Sequence, residues 1–300
     1  MSLTTKQLSW KILYEQLPTI RAMATGGLLS QLPTRKPGVD GKVLTARAKA
    51  PSDALLAAYN TWSGAAQRHA GTVPPHLVCA KITMPLVARL TARAPYPMLS
   101  GLNQGLRLTL NTPLPAGEKL YLSGSLVDIL DDGYRARFHS QIQVGTESIA
   151  NAMTVDAMAT VVLKKRPARE QTGDATVEPS YETVGQWQAR AEEGQVFFWL
   201  TGDFNPIHTW PAMAKKTRFK GCIMHGYGAF AQVYEALLAR GAEFNLIETR
   251  FIQPLPLPSP TLLIQRTPQP DDEGKFHFRL TDDNGTLYQA GYYQQQERPA

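Results

Sequence analysis

The stretch LTGDFNPIH, residues 200–208, sets an Asp and a His five residues apart around an Asn-Pro step, and the histidine of a second cluster, MHGYGAF, stands seventeen residues after His208. A residue that precedes proline is pushed out of the helical region, so Asn205-Pro206 predicts a turn. Such a turn carries Asp203 and His208 to one side of a non-helical overhang. A carboxylate and an imidazole are the usual pair for moving a proton to and from water near neutral pH. Both reaching one water can orient it and take its proton, with Asn205 adding an amide contact that fixes the geometry. Gly226, at an expected helix start, keeps its backbone N–H free where the helix dipole is positive, which is a place for a developing oxyanion. These parts together suit the addition of water across a double bond conjugated to a thioester carbonyl, or the reverse dehydration. The Gly226 N–H polarises the carbonyl while the water attacks the β-carbon. His225 is expected to pack, since only its neighbour's N–H is needed.

Other readings of the same letters are weaker. An Asp before Asn-Pro also caps free N–H groups at helix starts, and only the second cluster at this spacing turns the balance towards chemistry. Gly226-Tyr-Gly228-Ala-Phe-Ala231 fits G-x-G-x-x-A, with Glu248 twenty residues past the second glycine, the pattern of a dinucleotide site. Its surroundings argue against that: RFKGCIM before it is short and broken by Gly221, and PLPLPSP after Glu248 is no βα unit. No G-x-S-x-G supplies a serine nucleophile and no HExxH suggests zinc. Cys222, among apolar neighbours and with no base beside it, reads as a small buried residue.

These residues need a scaffold, and 300 residues are enough to bury a full core as one large domain or two. Two cysteines far apart point to a reducing compartment, with the cytoplasm as the expected location. No secretion signal and no apolar run of membrane-spanning length is present; Leu8, Ile12 and Tyr14 are read as the docked face of an N-terminal helix. A net charge of +6 from scattered basic residues favours anionic small molecules or an acidic carrier surface over nucleic acid. Lys164–Ser180 is the best linker, and either side of it a similar order of signals recurs. LLAAYNTWSG and PHLVCAKITMPLVARLTAR, the latter broken by Pro85, are helical in spacing. Four alternating segments follow them. VGQWQARAEEGQVFFWLTG and MHGYGAFAQVYEALLARG, ending at Gly241, are again helical, and again strands follow. WSG and LTG, or LRLTLNTPLP and TRFIQPLPLP, fall roughly 140 residues apart, a weak internal duplication. The expected class is α+β, each half an antiparallel sheet wrapped on a helix.

The run Phe198-Trp-Leu-Thr-Gly-Asp-Phe-Asn-Pro-Ile-His208, with Ala214, Phe219 and Ile223-Met-His-Gly226, resembles the motif of the MaoC-like (R)-specific enoyl-thioester hydratases, also called hydratase 2. More loosely the whole chain resembles the double hot dog members of that group. The resemblance implies two fused hot dog domains: residues 1–170 without the motif, and 171–300 with it. It implies syn hydration of trans-2-enoyl thioesters of CoA or acyl carrier protein, without metal or redox cofactor. Asp203 and His208 correspond to the pair that holds the water, Asn205 to its support and the N–H of Gly226 to the oxyanion donor. Arg218 stands where small residues are usual and Gly221-Cys222 replaces a segment that commonly contains Pro. In the first half Ser63-Gly64-Ala65 stands opposite Thr201-Gly202-Asp203 and Ala70 takes the place of the histidine. One reactive centre per chain is therefore expected, with the first half supplying acyl-binding surface and its helix bent, near Pro85, around a long tail. His69 and His76 are read as structural. Lys215, Lys216, Arg218 and Lys220 are candidates for contacts to CoA phosphates or an acidic carrier. A fused pair of this kind acts alone or as a homodimer. The alternatives are a non-catalytic acyl-thioester binding subunit and a hot dog thioesterase.

Overall fold

The computed structural model describes residues 3–30, 38–65, 67–96, 101–165 and 179–295. The expected domain boundary at 170/171, and most of the linker read from the sequence, lie outside the described residues.

A helical turn at Thr5–Gln7 leads into α1 (Trp10–Glu15) and α2 (Leu17–Ser30). Leu8 and Ile12 are buried as expected, whereas Tyr14 is exposed, because one short helix turn cannot bring all three to one face. The first repeat is then β1 (Leu44–Ala48), α3 (Asp53–Ser63), the single turn α4 (Pro75–Leu77), a π-helical turn over Val78–Ile82, α5 (Met84–Thr91) and strands β2 (Leu102–Leu110), β3 (Leu120–Asp131), β4 (Arg135–Gly145) and β5 (Met153–Val162). The second repeat is β6 (Glu182–Trp187), α6 (Glu193–Thr201), the short α7 (Pro206–Thr209) and α8 (Pro211–Ala214), α9 (Gly226–Ala239), and β7 (Leu246–Phe251), β8 (Leu262–Arg266), β9 (Phe276–Asp282) and β10 (Leu287–Gln294).

All the pairings are antiparallel and form one ten-stranded sheet in the order β1-β3-β4-β5-β2-β7-β10-β9-β8-β6. The order reads the same from either end once the second repeat is renumbered: each half runs first, third, fourth, fifth, second strand. The duplication seen in sequence is thus a pseudo-twofold pair joined where β2 meets β7. The close approach there explains Gly105, at whose position a Cβ would stand 2.1 Å from the Thr249 carbonyl oxygen. An antiparallel sheet around α9 excludes the dinucleotide fold, and Glu248 is ion-paired with Arg107 and Arg250 on the sheet.

α9 is apolar nearly all round, with Phe230, Ala231, Val233 and Leu237 fully buried, as befits a helix enclosed by a sheet. The first half's counterpart is not continuous. It is interrupted by the π turn and by Thr83, ahead of Pro85, which lies in the first turn of α5 where its missing N–H costs nothing. Each half is therefore a helix wrapped by an antiparallel sheet, and the chain is a double hot dog as expected.

One element differs from the sequence reading. VGQW, residues 184–187, is not the start of a helix but belongs to the edge strand β6, paired with β8. A β-bulge between Thr183 and Gly185 breaks the alternation of buried residues, so Val184 and Trp187 come three apart and mimic a helical period.

Candidate functional site

α6 ends at Gly202, whose φ of +86° is left-handed and whose N–H is bonded to the Phe198 carbonyl at 2.7 Å. That cap turns the chain out of the helix and delivers Asp203 into the interior. Asn205 then caps α7, its side-chain oxygen accepting the Ile207 N–H at 3.3 Å, and Pro206 occupies the first helical position. The Nδ2 of Asn205 remains a donor. α7 is one turn long, enough to bring His208 back over α6, where Gly194 makes room: a Cβ there would lie 2.1 Å from the His208 carbonyl oxygen.

Asp203, His208 and His225 converge, each with a donor atom within 4.8 Å of the others. The Asp203 side chain is buried, and its Oδ1 accepts the Asn205 N–H at 3.4 Å. Nδ1 of His208 donates to the Ile223 carbonyl at 2.8 Å, which fixes the tautomer and leaves Nε2 with a lone pair. The ring of His208 stacks on that of His225, centroids 3.9 Å apart, and His225 donates from Nε2 to the Asp203 carbonyl at 3.0 Å. His225 therefore holds both members of the pair, one by stacking and one by hydrogen bond; its role is packing and support, in line with the sequence reading. Burial pushes the Asp203 carboxyl above its usual range, with His208 pulling it back in part. Burial likewise lowers His208, offset in part by Asp203, and lowers His225 well below the usual imidazole range.

Gly226 is the first residue of α9, and its N–H has no hydrogen-bond partner among the described residues, whereas those of Gly228 and Ala229 are turned back to the His225 carbonyl. Phe251 on β7 explains why this position is glycine. A Cβ on Gly226 would stand 2.6–2.9 Å from three carbons of that ring.

A cavity of about 600 Å³ is lined by Asp203, Asn205, His208 and Gly226 together. It extends into the first half, past Met84, Val87, Ala88 and Thr91 of α5 to Leu102 and Ala159 of the sheet, and is also walled by Met23 and Gly26 of α2. Of the four basic residues singled out in sequence, only Arg218 lines it, with its guanidinium over the Phe219 ring at 4.9 Å. Lys215, Lys216 and Lys220 are exposed and outside that lining.

The first half holds a second polar cluster of a different kind. His69 and His76 both donate from Nε2 to Oε1 of Glu235 on α9, at 2.6 and 2.8 Å, and Arg68 bonds its other oxygen at 2.7 Å. Tyr59 donates to Nδ1 of His76 at 3.0 Å. Three donors are the protein share of an open metal site. Here, however, hydrogen bonds already occupy the donors of this cluster, and in the first cluster the Nε2 proton of His225 is likewise engaged. Cys222 is buried and its thiol is pushed up by burial, contrary to what a nucleophile needs.

Sequence reasoning missed Phe251, α2 and Glu235. All three act across long sequence separations, and the unexplained charge of Glu235 inside an apolar helix was the single signal available.

Comparison with known proteins bears on the second half first: residues 174–261 match the family described as MaoC like domain. The peroxisomal hydratase-dehydrogenase-epimerase of Neurospora crassa is 30% identical over 149 residues, 46% of this chain but 17% of its own length. The chain thus spans a small part of that relative. The 3-hydroxyacyl-thioester dehydratase Y of Mycobacterium tuberculosis is 27% identical over 246 residues, covering 73% of this chain and 82% of its own. Among solved structures, HtdX of M. tuberculosis superimposes with a TM-score of 0.68 at 18% identity, over 85% of this chain and all of its own, a likeness of fold. Among the described residues no helix is long and apolar enough to cross a membrane.

Proposed function

Starting from a chain that carries a MaoC like domain on a double hot dog, we propose that it is a hydro-lyase acting on acyl thioesters, adding water to trans-2-enoyl thioesters to give (R)-3-hydroxyacyl thioesters or running the reverse dehydration. The observation that carries this reading is the common lining of one cavity by Asp203, His208 and the free helix start at Gly226. Donor atoms no more than 4.8 Å apart can share one water. Asp203 accepts one of its O–H bonds and the bare Nε2 of His208 accepts the other. As the oxygen bonds the β-carbon, His208 takes its proton and the π electrons move to the carbonyl, whose oxygen is met by the Gly226 N–H. The enolate then takes a proton at the α-carbon from the same pair. Nucleophile and proton come from one side, which makes the addition syn. A neutral His208, favoured by its burial, is the form this step requires.

Arg218 stands where it can meet the thioester arm, and the exposed Lys215, Lys216 and Lys220 lie along the same stretch, suited to CoA phosphates or an acidic carrier protein. The names of two relatives, a hydratase-dehydrogenase-epimerase and a 3-hydroxyacyl-thioester dehydratase, support such chemistry, which we assign to fatty-acid metabolism. Loss of enoyl absorbance from crotonyl-CoA and a longer enoyl-CoA, with chiral analysis of the product, tests the proposal. Free thiol release would identify a thioesterase instead, and binding without turnover a non-catalytic subunit.

A further inference from the structure

α1 and α2 precede β1 and stand outside the order that the two repeats share. α2 nevertheless runs along the cavity. Gln16, just before α2, and Thr19 lie against Gly202, the glycine next to Asp203: a Cβ on Gly202 would meet the Cβ atoms of Thr19 and Gln16 at 3.0 and 3.1 Å. Thr19, Met23 and Gly26, spaced i, i+4, i+7, share one helix face. Met23 and Gly26 line the cavity, and a Cβ on Gly26 would come within 3.2 Å of Ala88 on α5. From Thr19 to Gly26 the helix advances about 10 Å. One stripe of α2 therefore starts beside the reactive turn and ends where α2 and α5 touch.

We propose that α2 is the wall that sets acyl-chain length, with the chain running along the lining shared by Met23 and Gly26 of α2 and Met84, Val87 and Ala88 of α5. This rests on the acyl-thioester reading of the cavity. At the Gly26–Ala88 crossing α2 and α5 meet, so the chain passes beside it towards Leu102 and Ala159, and Met23 fixes the width of that passage. Lys81, buried on the π turn and donating to Gln16 Oε1 at 2.6 Å, ties α2 to the interrupted helix and holds the two sides in register.

The test uses the full chain and two substitutions of the half-buried Met23 with opposite effects on volume, Met23→Trp and Met23→Ala. Affinity for saturated acyl-CoAs from four carbons upward is measured by calorimetry, and kcat/KM for enoyl-CoAs of the same lengths by absorbance. Each methylene kept from burial forfeits several-fold, so the tryptophan variant is expected to lower the ratio of longest to shortest by about ten-fold or more. The alanine variant is expected to shift the optimum to longer chains. A uniform change at all lengths in both variants, or no change, overturns the proposal. If the parent protein hydrates no enoyl-CoA, the hydratase reading fails on its own, and the saturated acyl-CoA affinities still decide the question of the wall.

Discussion

The two repeats share a strand order and differ where chemistry would occur. α3 and α6 end alike, on Gly64 and Gly202 with left-handed φ of +74° and +86°. The next residue is Ala65 in one and Asp203 in the other. The return to the sheet is also shared: Val73 N–H bonds the Leu114 carbonyl as Met224 N–H bonds that of Leu255. Two residues on, the first helical position holds Pro75 in one half and Gly226 in the other. Proline has no N–H. The first half thus lacks the carboxylate and the main-chain donor together, and the fold is preserved because both Pro and Gly suit a helix start. The duplicated fold thus carries the Asp203–His208–Gly226 cluster in one copy only, and the other copy contributes α5 to the lining of the same cavity.

Undoing the second half's polar groups should produce the largest effects. Asp203→Asn or His208→Ala is expected to lower kcat by about 10²–10⁴ while acyl-CoA still binds, as read by turnover beside calorimetry. Unchanged kcat in both would remove the distinction between the halves. Converting one helix start into the other, Gly226→Pro, deletes the N–H and adds a Cβ against Phe251, whereas Gly226→Ala adds only the Cβ. The proline variant is expected to fall below the alanine variant by about 10²-fold in kcat; equal rates would mean that the N–H plays no part.

Stability sharpens the contrast from the other side. Glu235 is buried, and burial alone would raise its carboxyl; hydrogen bonds from His69 and His76 outweigh that and hold it well below the usual carboxylate range. A depressed carboxyl stabilises the fold above its unfolded value, and that contribution is lost as pH falls through the folded one. Glu235→Ala is expected to cost about 3 kcal/mol in denaturant titrations at pH 7, and less at acid pH. His208 and His225 act oppositely to a histidine with a gained partner. Their lowered values mean that the unfolded chain binds protons first, so this site loses stability as pH drops below about 6.5. The acid limb of kcat/KM is accordingly expected below pH about 6.5 in a pH–rate profile. The smallest expected effect is none: Ala65→Asp should give Asp203→Asn protein no activity, since Pro75 still lacks the donor.

The reactive turn was legible because every part of it is local. Gly202, Asp203, Asn205-Pro206 and His208 define an αL cap, a turn and a capped helix within nine residues, and chain stiffness alone fixes their order. The same holds for the buried α9 with its start at Gly226, and the repeat period announced the pseudo-twofold sheet. Tertiary structure alone decided the rest. Phe251 reaches Gly226 only through the sheet, Glu235 meets His69 across 166 residues, and α2 becomes a cavity wall by packing on Gly202 and Ala88. β6 took a strand conformation against its local period because the edge of β8 offered hydrogen bonds that a helix there could not satisfy. Spacing along the chain determines which groups can form a turn; which distant groups face them depends on how the apolar faces are buried together, and no local pattern encodes that.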